Sequence, residues 1–378
     1  MIEIRVEKNL GNFSLNVSLT LQKGITVFFG PSGSGKTLTL HTVAGLVEPD
    51  SGVVRVNGEV YFDKKRGVNL PIHRRRIGYV FQEASLFPHM TVFENIAYGI
   101  SGLAQGDKKE RVRRMLERMR LGGLENNFPH QISGGQKQRT ALARALAASP
   151  LLLLLDEPFA SLDNPVREKL RLDLLTIGRE DHTPLIFVTH DVEEAFVLAE
   201  EMVVLNEGKV EQTGNKDDIF YRPRTHKVAK FFGARNIFFG RVAELSPEKG
   251  FMTLHVEEKG FAAQLPIREG MSVGDRVRFC IRPEEIMILK EGRPIKRSLQ
   301  GNIFTGKIVR IVEKGSEHTL FFKQSQDDYD FEISMPNLPY RSLRVKEGQT
   351  VSVAFKWESI WVLPEKNSEP GQTTATSD

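Results

Sequence analysis

Apolar and polar positions alternate along the opening segment. FSLNVSLTL (13–21) places an apolar side chain at every second position, and the flanking IEIRV and GITVFFG carry similar short β-type runs. The period then changes. After a Gly-rich turn, 36–46 follows a helical pattern, and short strands are predicted at 53–56, 60–62 and 77–81. Thr91 opens a helical stretch, and helices follow over 108–120, 136–148, 166–177 and 192–199, with strands at 185–188 and 202–205. Leu151–Leu155 is an unbroken aliphatic run with turn residues behind it, as a strand covered on both faces requires. Alternation of strand and helix predicts an α/β domain with a mostly parallel sheet.

Near residue 235 the helical pattern stops and short alternating strands separated by Gly, Pro and Glu turns take over. Asn236-Ile237-Phe238-Phe239-Gly240 recurs as Asn302-Ile303-Phe304-Thr305-Gly306, a period of 66 residues running from 236 to 302. Each copy is too short to close a good core alone, so two OB-like barrel repeats packed together are expected. The predicted organisation is an α/β domain at 1–235 with a helical insertion over about 83–145. An all-β domain follows at 236–364, with repeats at about 236–290 and 302–364, and then a polar, disordered tail at 365–378.

Composition narrows the partners. A chain of 378 residues exceeds one compact core. Its formal net charge is only +4, with both signs mixed throughout, so no nucleic-acid partner is expected. The densest basic spots, Arg74-Arg75-Arg76 and Arg111–Arg114, read as solvated surface. Cys280 is the sole cysteine, which removes intrachain disulfides and cysteine metal sites and suits a reducing cytoplasm. MIEIRVEKNL lacks the apolar run of a signal peptide, and no aliphatic run approaches the roughly 20 residues a membrane helix needs. A role at a membrane therefore requires docking onto another, membrane-spanning chain.

The chemistry begins at GPSGSGKT, Gly30–Thr37, which fits G-x-x-x-x-G-K-[ST] between an apolar strand and a helix. Gly30, Gly33 and Gly35, with Pro31, Ser32 and Ser34 between them, let successive backbone N–H groups turn toward a phosphate, and the helix start adds positive potential. Lys36 carries charge to the outer phosphates, and Thr37 offers a hydroxyl to Mg²⁺. Thr39 is included in the candidate nucleotide site. Asp156 and Glu157 directly follow the aliphatic run, where the carboxyl ends of parallel strands form a ligand crevice. There Asp156 can hold the Mg²⁺ shell and Glu157 can polarise an attacking water. Ser133-Gly134-Gly135 precedes a predicted helix from Gln136, at once a helix cap and an anion site.

HQISGGQKQR (130–139) resembles the signature of the ABC transporter ATPase family, with Ile132 in place of the usual Leu. Gln82 in YVFQEASLFPH is similar to that family's Q-loop glutamine, Ser161-Leu162-Asp163 to its D-loop, and His190 in FVTHD to its switch histidine. The resemblance implies a P-loop ABC cassette over 1–235 that binds and hydrolyses ATP with Mg²⁺. It implies a head-to-tail dimer with a second copy of the chain, in which Ser133 and Gly135 act across the interface, and it adds Gly134, Gln136 and Asp163 to the nucleotide-binding set. Lys36, Gln82, Glu157 and His190 are then the catalytic set, and Thr37, Gln82 and Asp156 the metal set. IRPEEI (281–286) and the C-terminal repeat resemble the importer branch. That implies a membrane permease partner, indirect dependence on a periplasmic or surface substrate-binding protein, and a peripheral position on the cytoplasmic face of the membrane. The wording of 8–37 and 63–89 is similar to the molybdate-importer group, with sulfate, ferric-iron and sugar importers next. Phe13 is the candidate for stacking on adenine, and Asn302, Thr305 and Lys307 are candidate oxyanion donors.

Overall fold

A computed structural model describes the chain except residues 23, 161, 182, 291–295, 297–298, 325–327 and 365–378, with backbone alone at 179–181. The expected tail and Ser161 of the D-loop thus lie outside the described residues. Contacts divide the chain into units Met1–Ile219 and Phe220–Asp378.

The first unit is built on β1 (Ile2–Asn9), β2 (Ser14–Leu21), β3 (Ile25–Phe29), α1 (Lys36–Ala44), β4 (Ser51–Val56), β5 (Glu59–Asp63), β6 (Val68–Asn69) and β7 (Ile77–Val80). A helical insertion follows, comprising α2 (Val92–Tyr98), α3 (Gln105–Arg118) and α4 (Gly134–Ala147). The chain then runs through β8 (Leu152–Asp156), α5 (Asn164–Asp181), β9 (Leu185–Thr189), α6 (Val192–Leu198), β10 (Glu201–Asn206), β11 (Lys209–Gly214) and α7 (Lys216–Tyr221), which crosses the division. One sheet takes the order β6-β5-β4-β1-β2-β11-β10-β3-β9-β8-β7. Its β10-β3-β9-β8-β7 segment is parallel, and β1, β2, β4, β5 and β6 form an antiparallel wing. β3, β8 and β9 are buried at every position, which is why their sequences run apolar without alternation. β1 and β2 bury one face against α1, hence their period of two.

The two basic spots are not wholly solvated surface. Arg75 is 1% exposed. Its guanidinium donates to Thr42 O and Val43 O at 3.1 and 2.8 Å, to Leu70 O at 2.8 Å and to Asn69 Oδ1 at 2.9 Å. Arg111 Nε donates to Ala147 O at 2.8 Å. Each arginine therefore closes the carbonyl end of a helix, α1 or α4, where orphan acceptors and the negative end of the dipole favour a cation. A local run of arginines does not reveal such distant partners.

The second unit continues with α8 (His226–Phe231), β12 (Asn236–Ser246), β13 (Phe251–Val256), β14 (Phe261–Pro266), β15 (Arg276–Ile281) and β16 (Met287–Ile288). The second repeat supplies β17 (Ile303–Glu313), β18 (Glu317–Lys323), β19 (Phe331–Pro336), α9 (Asn337–Leu343), β20 (Thr350–Ala354) and β21 (Trp361–Leu363). The sheets are β14-β13-β12-β15-β21 and β16-β20-β17-β18-β19, so each repeat donates its last strand to the other's sheet. One core joins both: Phe238, Phe261, Phe304 and Phe331 pack with ring centroids 5.2–5.5 Å apart.

The repeated asparagines explain the repeat. Asn236, 3% exposed, donates Nδ2–H to Glu332 O at 2.8 Å and accepts from Glu332 N at 2.7 Å. Asn302, 1% exposed, does the same with Gln264, at 2.8 and 2.7 Å. Each side chain thereby acts as a rung of ladder to the opposite repeat. This corrects the expectation that Asn302 is an oxyanion donor, because both ends of its amide are already engaged. Thr305 and Lys307 are exposed, with Thr305 Oγ1 3.0 Å from Ser352 Oγ.

The segment after Ile219 belongs to the second unit, sixteen residues ahead of the boundary expected at 235. Arg282 of IRPEEI lies 3.4 Å above the Phe220 ring and donates to the carbonyls of Phe220 and Phe232, and Trp361 Nε1 donates to Pro223 O at 2.8 Å. Among the described residues no helix is long and apolar enough to cross a membrane.

Candidate functional site

The site gathers at the carboxyl ends of β3, β8 and β9. After β3 the chain makes a tight loop at Gly30–Gly35 that no other residue type fits at two points. A Cβ on Gly30 would lie 2.1 Å from Leu205 O. Gly35 sits at φ +100° and caps α1, and a Cβ there would come within 2.8 Å of Leu15 Cδ1. Lys36 bends back over the loop, donating to Gly30 O at 2.8 Å and Pro31 O at 2.9 Å. Burial pushes its ammonium down from the usual lysine range, and the nearby Glu157 and Asp156 charges pull it back up. Ser34 is 2% exposed and its hydroxyl has no protein partner. A buried hydroxyl left open in a Gly-rich loop at a helix start is what a phosphate cradle needs.

Asp156, 6% exposed, ends β8. Thr37 Oγ1 donates to its Oδ1 at 2.8 Å and Tyr79 Oη to its Oδ2 at 3.2 Å. Burial raises its pKa above the usual carboxylate range, and the two hydroxyls act against that rise. Glu157 takes φ +43°, a left-handed conformation costly for a side chain this size, fixed by its N–H donating to Val188 O at 3.1 Å. Its Oε2 lies 3.1 Å from His190 Nδ1. His190 is half exposed, between Thr189 and Asp191. Thr189 Oγ1 donates to Glu194 at 2.6 Å, and Asp191 caps α6. Arg171 reaches both Glu168 and Glu193 at 3.0 Å, bracing the turn.

Gln82 follows β7 and is exposed. Its loop is tied down from behind. Asn95 Nδ2 donates to the carbonyls of Phe87, Met90 and Thr91 at 3.0–3.1 Å, and Arg144 Nη2 donates to Ala84 O at 3.3 Å. Ser133 and Gln136 form a capping box at the start of α4: Gln136 N donates to Ser133 Oγ at 3.4 Å, and Ser133 N to Gln136 Oε1 at 2.8 Å. Gly135 abuts Val166, where a Cβ would meet Cγ1 at 2.3 Å, and Gly134 and Asp163 are exposed. Among the described residues no hydrogen bond joins this turn to the Gly30–Thr37 loop of the same chain.

Thus the fold assembles Gly30, Pro31, Ser32, Gly33, Ser34, Gly35, Lys36, Thr37, Asp156, Glu157 and His190, and leaves Ser133–Gln136 and Asp163 on other elements. Thr39 does not face the crevice: it is fully buried and donates its hydroxyl to Gly35 O at 2.8 Å. Phe13 is partly buried and packs against the β1–β2–α1 core, with its ring edge 3.2 Å from where a Gly35 Cβ would stand. Tyr79, Asn95, Arg144 and Arg75 were not legible as site or support residues. Alternation on β7 could have placed Tyr79 beside Leu154 and Asp156, but the partner strand had to be known first.

Fold and site together define a nucleotide-binding α/β cassette with a phosphate loop and a carboxylate pair at adjacent strand ends. Residues 15–160 match the family described as ABC transporter. The spermidine/putrescine import ATP-binding protein PotA of Nitrosospira multiformis is 37% identical over 366 residues, covering 95% of this chain and 97% of that one. The sulfate/thiosulfate import ATP-binding protein CysA of Ralstonia nicotianae is 37% identical over 362 residues, 92% of each. A dimeric post-hydrolysis structure of the ATP-binding cassette MJ0796 with ADP and Pi superposes with TM-score 0.50 at 31% identity, over 57% of this chain and 99% of that one. The chain belongs to the ABC transporter family, as an ATP-hydrolysing, ATP-binding subunit of importer type.

Proposed function

We propose that the chain energises import of a tetrahedral oxyanion through a membrane permease, working as a head-to-tail dimer on the cytoplasmic face of the membrane. The observation that carries the hydrolysis reading is the end of β8, where Thr37 holds Asp156 and the strained Glu157 faces His190 at 3.1 Å. Lys36 leaves its loop carbonyls for the outer phosphates of ATP and neutralises their charge. Glu157 takes the proton of the attacking water, and His190 orients that carboxylate and contacts the γ-phosphate. Ser133, Gly134, Gly135 and Gln136 of the second copy close on the nucleotide, and Asp163 lies at the same junction. The dimeric MJ0796 cassette supports this arrangement.

The donor set fits Mg²⁺: Thr37 Oγ1 and Asp156 Oδ1, 2.8 Å apart, are hard oxygens, and the exposed Gln82 after β7 would be a third donor. The ion would supply charge neutralisation of the β- and γ-phosphates. Substrate choice rests on the relatives. The sulfate/thiosulfate CysA of Methylococcus capsulatus is 43% identical over 251 residues, 64% of this chain and 70% of that one. Molybdate, expected from the wording of 8–37 and 63–89, is a tetrahedral dianion of the same class, whereas the relatives named here are sulfate/thiosulfate and spermidine/putrescine import proteins. A polyamine cation is the second reading, favoured by the PotA relative aligned almost end to end. Uptake into vesicles carrying this chain, its permease and the matching substrate-binding protein decides the matter. The oxyanion reading expects ATP-dependent entry of sulfate or molybdate, and entry of spermidine alone overturns it.

A further inference from the structure

We infer that Tyr79 is a positioning residue for the metal half of the nucleotide site, holding the Asp156 carboxylate in the orientation that receives a divalent cation. The inference rests on the reading of Asp156 and Thr37 as the metal-binding pair. β7 lies at the sheet edge, parallel to β8, with Tyr79 in register with Leu154. Because side chains on a strand alternate, Leu152, Leu154 and Asp156 share one face. Leu152 and Leu154 pack into the core beneath α1, and Tyr79 packs against that same cluster. From a position opposite Leu154, the phenol spans the distance to the end of the neighbouring strand and donates to Asp156 Oδ2 at 3.2 Å. Its ring is steadied by Phe81, 4.3 Å between centroids, and by His41 of α1 at 5.9 Å.

The two oxygens of Asp156 thus have separate jobs. Oδ1 takes the Thr37 hydroxyl, the group the metal needs, and Oδ2 takes the Tyr79 hydroxyl, a group with no other role in the site. A buried carboxylate with a donor on one oxygen still swings about its Cβ–Cγ bond, whereas a donor on each oxygen fixes its plane. The second donor also offsets part of the cost of keeping a 94%-buried group ionised, which matters because only the carboxylate form binds a hard cation. Aromatic packing alone would be met equally by phenylalanine, so the hydroxyl is the feature to test.

The experiment is nucleotide binding by Tyr79→Phe in the full chain, followed with a fluorescent ATP analogue in excess EDTA and across a Mg²⁺ titration. A hydrogen bond to a charged group predicts a Mg²⁺ half-saturation higher by about 10- to 150-fold, with affinity in EDTA within about twofold of wild type. Tyr79→Leu, which also removes the ring, should show the same shift together with a lower urea midpoint. A Mg²⁺ half-saturation unchanged in Tyr79→Phe, or an equal loss with and without the metal, overturns the assignment. If wild-type chain itself gains no affinity from Mg²⁺, the metal reading of Asp156 and Thr37 fails instead, and the two failures are told apart by that one control.

Discussion

Asn302 in the β unit and Asp156 in the cassette are both buried polar side chains near strand ends, at 1% and 6% exposure. Asn302 spends both ends of its amide on the backbone of Gln264. Asp156 accepts from two hydroxyls in a site where burial disfavours its charge, and the buried hydroxyl of Ser34 in the phosphate loop has no protein partner. At Asn302 buried polarity is satisfied and fastens two repeats together. At Ser34 it is left incomplete, which costs stability and creates a place for a charged ligand.

The largest test of this contrast is Glu157→Gln. ATP turnover should fall about 100- to 1,000-fold while nucleotide binding and the urea midpoint stay near wild type, since a general base contributes on that scale. Unchanged turnover would return Glu157 to the status of a strained turn residue.

Asn302→Ala should act oppositely. Losing two hydrogen bonds and stranding the Gln264 backbone groups should cost the β unit about 2–4 kcal/mol. Both tryptophans of the chain, Trp357 and Trp361, lie in that unit, so their fluorescence during urea unfolding reports on it selectively. Reduced oxyanion binding with no change in that unfolding curve would reinstate Asn302 as a ligand donor.

A finer test compares two capping boxes, Thr91 on α2 and Ser133 on α4. Replacing either by Ala should cost about 1 kcal/mol of stability. Only Ser133→Ala should also depress ATP turnover, and it should do so even at saturating ATP. Equal turnover in both variants would reduce the Ser133 turn to a helix cap.

The smallest effect concerns pH. Burial raises the Asp156 pKa in the folded chain, so its ionised form works against folding. That penalty is complete above the folded pKa, shrinks as pH falls through it, and is gone below the unfolded value. Metal-free Asp156→Asn should therefore be more stable than wild type at neutral pH, with the difference narrowing on acidification. Urea midpoints across that range measure it, and a gap that widens toward acid contradicts the sign.

Local sequence by itself determined the elements and much of the chemistry. Gly30–Thr37, the aliphatic run ending in Asp156-Glu157, and the Asn-Ile-Phe repeat each carry their meaning in neighbouring residues, because dihedral freedom, strand burial and duplication are local properties. Tertiary structure alone decided which distant groups meet. It turned Arg75 and Arg111 from apparent surface charge into caps of α1 and α4, and put Asn302 against Gln264 rather than a ligand. It also exchanged β16 and β21 between the repeats and brought Tyr79 to Asp156 from 77 residues away. Those outcomes depend on strand order and on which helix end lies across the sheet, and a one-dimensional pattern of apolar and polar positions carries neither.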